Sequence, residues 1–161
     1  YHQGIAFEGK FKSEKNRTYI HAAADRFDEH YDMIRAVKDK QFKYLKNFHP
    51  DRPYYLPLEY REKMNSMKEL LRMNNEGELD VFQSQWFRKE KPVEELFDTY
   101  NDPHELHNLV GNSDFADKLI ELRTECERWM QKTKDKGFIP ESELIVALSF
   151  SVTLPLMVRL A

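Results

Sequence analysis

Cysteine is nearly missing from this chain, with Cys126 alone among 161 residues. A single thiol excludes an internal disulfide and a zinc site built on cysteine. Glycine is sparse as well, 5 residues, and none sits in the Gly-rich loop that cradles a phosphate. The opening "YHQGIAFEGKFKSEKNRTY" has no initiator Met. It also lacks the basic end, apolar core and small-residue cleavage site of a signal peptide. It therefore reads as the middle of a longer protein. Charge of one sign does not dominate either: 25 basic and 28 acidic residues leave a net −3. The two signs are interspersed, so neither nucleic acid nor membrane is an expected partner. The one long uncharged run is "LIVALSFSVTLPLMV", residues 144–158. It is short of the roughly 20 residues a membrane helix needs and contains Pro155. A buried strand pair, or a tail (144–161) of uncertain status beyond a domain of residues 1–143, is expected there.

What is present suits one folded domain with a charged surface: 13% aromatic and 33% charged residues. "TYIHAAA" (18–24) predicts a short strand that ends at the charged turn "DRFDEH". "YDMIRAV" (31–37) and "QFKYLKN" (41–47) flank Lys38-Asp39-Lys40, the spacing of a hairpin. "HPDRPYYLPLEY" carries Pro50, Pro53 and Pro57 and predicts an extended traverse. Tyr60, Met64, Met67 and Leu71 then recur at helical spacing until Gly77, and are expected to face the core. Leu79, Phe82 and Trp86 form a second amphipathic piece, and "EELFD" (94–98) another strand. Phe115, Leu119, Leu122, Cys126 and Trp129 share one face of a helix over 114–132, with Ser113 as its N-cap. The expected fold class is α+β, a small antiparallel sheet packed against amphipathic helices.

"ELFDTYNDPHELHNL" (95–109) contains two histidines three apart. Asp102-Pro103-His104-Glu105 has the order of a capped helix start: cap, proline at the first position, acid at the third. His104 and His107 would be neighbours on that turn, but no third ligand is in reach. The expectation is a structural corner with no metal.

The same stretch, followed by an amphipathic helix, resembles the C-terminal signature of the type I (formylglycine-dependent) sulfatases. "HAAADRFDEHYDMIRAVKDKQFKYLKNF" is similar to the strand pair that opens the C-terminal subdomain of that family, and "GFIPESEL" to its end. The Asp-Pro-His-Glu form leans toward the heparan N-sulfatase branch. The resemblance implies a parent enzyme that hydrolyses sulfate esters or N-sulfate of a sulfated sugar. Its cofactors would be calcium and a formylglycine made from Cys or Ser in a C/S-x-P-x-R motif. It further implies an N-terminal catalytic domain as partner, and a periplasmic, extracellular or lysosomal location.

This chain has no C/S-x-P-x-R motif, and Cys126 in "TECERW" lies on the apolar helix face. No catalytic residue is therefore assigned, and the chain alone is expected to be inactive. Asp25, Arg26 and Glu29 are the candidate substrate contacts. The guanidinium would pair with a sulfate or carboxylate, and the carboxylates would accept sugar hydroxyls. Two other readings are a stand-alone binding module, and an unrelated α+β enzyme using His21, Asp25 or His30 in acid–base roles. Asn16-Arg17-Thr18 matches a glycosylation sequon.

Overall fold

The computed structural model describes residues 4–146. The chain divides into two units, Tyr1–Cys126 and Glu127–Ala161. In the first, four strands form one antiparallel sheet in sequence order: β1 (Ile20–Phe27), β2 (His30–Lys38), β3 (Phe42–Asn47) and β4 (Glu94–Asp98). Helices α1 (Glu59–Glu62) and α2 (Asn65–Glu76) and a 3-10 helix (Gln83–Phe87) lie between β3 and β4; α3 (Ala116–Thr133) follows. This is the α+β layer expected. Among the described residues no helix is long and apolar enough to cross a membrane.

The register assigns each side chain to a face. Met33, Arg35 and Val37 of β2, Tyr44 of β3 and Leu96 of β4 fall on one face and are buried. Side chains of α3 bond to this face and its edges: Arg123 to Glu94, Glu125 to His21 and Lys118 to Asp39. Leu119, Leu122 and Cys126, which share one stripe of α3, are buried as their spacing predicts. The opposite face is covered in part, along β4 and at the start of β2. There Lys91 reaches Asp32, and Tyr54 reaches Glu95, from the segments that flank α1 and α2. Toward β1 the same face is open, with Ile20, Ala22 and Ala24 exposed and Ile34, Ala36 and Leu45 half-buried.

Several local expectations are corrected. The charged turn is only Asp28-Glu29, because β1 continues through Asp25, Arg26 and Phe27. The register shifts between Ala24 and Arg26, where Asp32 and Met33 of β2 oppose Asp25 alone, and Asp28 adopts φ 50° to close a two-residue hairpin. The helix expected from Tyr60 breaks after Glu62, leaving Tyr60 and Met64 exposed and only Met67 of the stripe buried. Gly77 does end α2, at φ 72°, with Glu78 N–H bonding back to Met73 O at 2.9 Å. The cap before α3 is Asn112, whose Oδ1 accepts the Asp114 N–H at 2.9 Å, rather than Ser113.

In the second unit Lys134 turns left-handed at φ 52°, and Asp135 N–H bonds Met130 O at 3.0 Å to finish α3. Residues 141–146 are helical. The rest of the tail, 147–161, which holds the remainder of the uncharged run, lies outside the described residues.

Candidate functional site

The tip of the β1–β2 hairpin holds the three predicted contact residues and puts them to different uses. Asp25, on β1 where the register shifts, accepts a hydrogen bond from Arg35 Nη1 at 2.7 Å. Arg35 is buried, so Asp25 neutralises a charge that water cannot reach. Arg26 pairs in register with Tyr31 and is exposed. Glu29 lies in the turn, with Oε1 3.5 Å from His30 Nε2.

The structure adds cationic groups that the sequence analysis left out. Arg52, from the proline-rich traverse, donates to Tyr31 O, and its guanidinium lies 5.7 Å from the Tyr31 ring centre. His49 meets the same ring edge-on at 5.3 Å. Arg61 stands over Phe27, Tyr55 and Trp86, 5.1 to 5.4 Å from each ring centre. His30 Nε2–H donates to Pro57 O at 2.5 Å, tying the tip to the traverse. The only sequence signal for this grouping is the pair of basic residues in "HPDRP". Spacing cannot reveal that these loop residues return to the hairpin. The tip is thus an exposed end of the sheet with Arg26, Arg52 and two imidazoles nearby, chemistry suited to binding an anion.

Acid–base catalysis has no such support. His21 bonds Glu125 Oε1 on α3 at 2.8 Å, Asp25 bonds Arg35 and His30 bonds Pro57 O, so the three are not brought together. Cys126, the sole thiol, is 1% exposed within α3. Among the described residues, no group of three or more His, Cys, Asp or Glu side chains is placed to hold a metal.

The 95–109 corner is built from side chains that accept backbone bonds. Asp98 Oδ1 takes the N–H groups of Tyr100 and Asn101, each at 3.1 Å. Asp102 Oδ2 takes the His107 N–H at 2.8 Å. Burial pushes the Asp102 carboxyl up, but bonds from the His107 and Leu106 backbone and the His107 ring outweigh it and hold it low. Glu105 adopts φ 55° and pairs with Lys43, so the segment is a turn and not the helical start expected. Asn108 then lies along the outer edge of β4. Its Oδ1 accepts the Leu96 N–H at 3.0 Å and its Nδ2 donates to Glu94 O at 3.1 Å, so a side chain covers the free strand edge.

No family model matches the chain. Among curated proteins, it is 55% identical over 145 residues to an ulvan-active sulfatase of Formosa agariphila. The chain is homologous to part of a sulfatase. The match takes in 90% of this chain and 24% of that protein. A second ulvan-active sulfatase of the same organism is 31% identical over 108 residues, covering 63% of this chain and 18% of that protein. The chain therefore spans about a quarter or less of these relatives. Solved structures with a similar shape include a 2-O GAG sulfatase at TM-score 0.47 and 17% identity, covering 78% of this chain and 18% of that one. Another, described in complex with its substrate D-glucosamine-2-N,6-O-disulfate, gives TM-score 0.46 and 14% identity, covering 80% of this chain and 19% of that one.

Proposed function

We propose that this chain is the C-terminal subdomain of a sulfatase acting on a sulfated glycan, with residues 1–143 forming the subdomain proper. The observation that carries this reading is the 55% identity to a quarter of an ulvan-active sulfatase. The half-open sheet face supports it. Ile20, Ala22 and Ala24 present apolar surface in the manner of a domain whose neighbour belongs to the rest of the protein. The partner that covers it is the N-terminal catalytic domain. Formylglycine and calcium are that domain's, since the described residues here offer neither the nucleophile motif nor a cluster of three ligands.

In this reading the hairpin tip forms part of the rim of the substrate pocket. Arg26 meets a sulfate or carboxylate, Glu29 accepts sugar hydroxyls, and Asp25 contributes through the charge it shares with Arg35. Ulvan is the substrate favoured by the names of both curated relatives. The heparan N-sulfatase branch is the narrower alternative, carried by Asp102-Pro103-His104-Glu105 alone.

A chimera tests this. Residues 4–146 replace the matching region of the Formosa agariphila enzyme, and sulfate release from ulvan and from N-sulfated glucosamine is measured. Release from ulvan within about tenfold of the parent is expected, and Arg26→Ala in the chimera lowers kcat/KM by at least about tenfold, near 1.4 kcal/mol. A folded, formylglycine-bearing chimera with no turnover on either substrate overturns the reading. Turnover by the isolated chain that survives repurification overturns the assignment of catalysis to a separate domain.

A further inference from the structure

The two edges of the sheet are finished differently. Along β4 the Asn108 side chain meets the outward backbone of Glu94 and Leu96, and Leu109 N–H donates to Leu96 O at 2.8 Å. The other edge is β1, and the ladder sets which of its groups point outward. Asp39 N–H bonds Phe42 O at 3.0 Å and Phe48 N–H bonds Met33 O at 2.9 Å. The odd-numbered residues of β2 therefore turn their backbone groups to β3. The even-numbered ones, Ile34, Ala36 and Lys38, face β1, and their partners Ala24, Ala22 and Ile20 face back. His21 and Ala23 then point their N–H and C=O away from the sheet. Those of Ala23 have no partner among the described residues.

This stretch carries none of the usual protection. A row of unpaired N–H and C=O groups accepts another strand unless proline, lysine, a bulge or a covering segment prevents it. Ile20–Ala24 contains neither proline nor lysine, and Ile20, Ala22, Ala23 and Ala24 are exposed. The register shift comes only after Ala24, so the strand is regular up to that point. Three consecutive alanines also let a second backbone approach to the spacing of a ladder, about 4.8 Å.

The occupant has to meet a face as well as an edge, because Ile20, Ala22 and Ala24 form the exposed apolar side of β1. A second copy adding its own β1 would continue the sheet in its plane. It would leave that side uncovered and set two such patches next to each other. A strand belonging to a larger body closes the edge while the body behind it covers the face. The chain matches 24% of a curated relative, so most of such a protein lies outside it. We propose that β1 takes up a strand from the catalytic domain and extends the sheet to five strands, with backbone bonds at Ala23. Such recognition calls for an extended run without proline, apolar at every second position where it continues the side of Ile20, Ala22 and Ala24. The proposal rests on the sulfatase reading above and adds how the two parts are joined.

Hydrogen exchange, read residue by residue by mass spectrometry, tests it. In the isolated chain the Ala23 amide should exchange near the unprotected rate, while Ala22 and Ala24, bonded to β2, are protected. In the chimera described above, Ala23 should gain at least about 100-fold protection. Ala23→Pro removes only an outward N–H, so it should leave the melting temperature of the isolated chain almost unchanged and lower that of the chimera. Ala22→Pro breaks a bond to β2 and should destabilise both. An unprotected Ala23 in the folded chimera overturns the proposal. So does an Ala23 already protected in the isolated chain, where a doubled mass in solution would assign the edge to a second copy. If the chimera does not fold, the matching strand of the intact Formosa agariphila enzyme is read in the same way, with the same two outcomes. Protection and turnover separate the two readings. A folded chimera without turnover overturns the sulfatase reading, whereas an active chimera with an unprotected Ala23 overturns only the added strand.

Discussion

Arg35 Nη1 donates to Asp25 Oδ1 at 2.7 Å, joining a buried guanidinium to a carboxylate that is 41% exposed. Strand alternation makes the contact possible: Ala23 pairs with Arg35 and Ala24 with Ile34, so Asp25 falls on the Arg35 face, diagonal to it, where the register shifts. Asp25→Ala should lower stability by about 1–3 kcal/mol, because the buried Arg35 loses a charged partner while its bond to Ile34 O remains. Asp25→Asn, which still accepts a hydrogen bond, should cost less. Urea denaturation measures both, and an Ala variant as stable as wild type would show that Asp25 is not the counter-ion Arg35 depends on.

Glu94 and Glu95 are adjacent, face opposite sides of the sheet, and should respond to pH with opposite sign. Glu94 accepts from two Arg123 nitrogens, Nε at 2.8 Å and Nη2 at 2.7 Å, and from the Tyr44 hydroxyl. The Arg123 bond outweighs partial burial and lowers its carboxyl to about 2. Its contribution is therefore complete above the ordinary glutamate value and is lost as pH falls toward 2. Glu95 is raised by burial, so the native state holds its proton more tightly and stability falls as pH rises past the ordinary value. Glu94→Gln should be less stable than wild type at neutral pH, with the gap closing in acid. Glu95→Gln should gain on wild type as pH rises. Denaturation midpoints from pH about 2 to 7 check this, and two variants with parallel profiles would refute it.

His104 is exposed, and His107 lies edge-on to Phe82 at 5.5 Å with Nδ1 3.4 Å from Asp102 Oδ2. Changing both to Ala should leave metal content unchanged and lower the melting temperature slightly, through the lost ring contact. Stoichiometric zinc in the wild-type chain that disappears in the variant would replace the corner with a metal site.

Asn112→Ala should cost about 1 kcal/mol, the usual loss of an N-cap, whereas Ser113→Ala should be close to neutral. Thermal unfolding of the two variants separates them. The reverse order would restore Ser113 as the residue that starts the helix.

The strongly periodic parts of this molecule were legible without coordinates. "EELFD" is β4 to the residue, and the hairpin around Asp39 is displaced by one position at its connection. Leu119, Leu122 and Cys126 are buried because a helical stripe turns only one face to the sheet. Weaker signals misled where a single local rule was read alone. Tyr60 and Met64 keep the helical period but sit where the helix breaks and rejoins, so periodicity did not bring burial. Asp102-Pro103 opens like a helix cap, yet Glu105 turns left-handed and pairs with Lys43 from a distant strand.

Composition, strand alternation and helical period were sufficient for an α+β layer, and the block order sufficed for the sulfatase resemblance, since both depend on neighbours along the chain. Tertiary structure alone decided that Asp25 answers Arg35 and that Arg52 and His49 return to Tyr31. These pairings join residues separated by loops whose path no local period encodes. They are settled by where buried charges find partners once the sheet has closed.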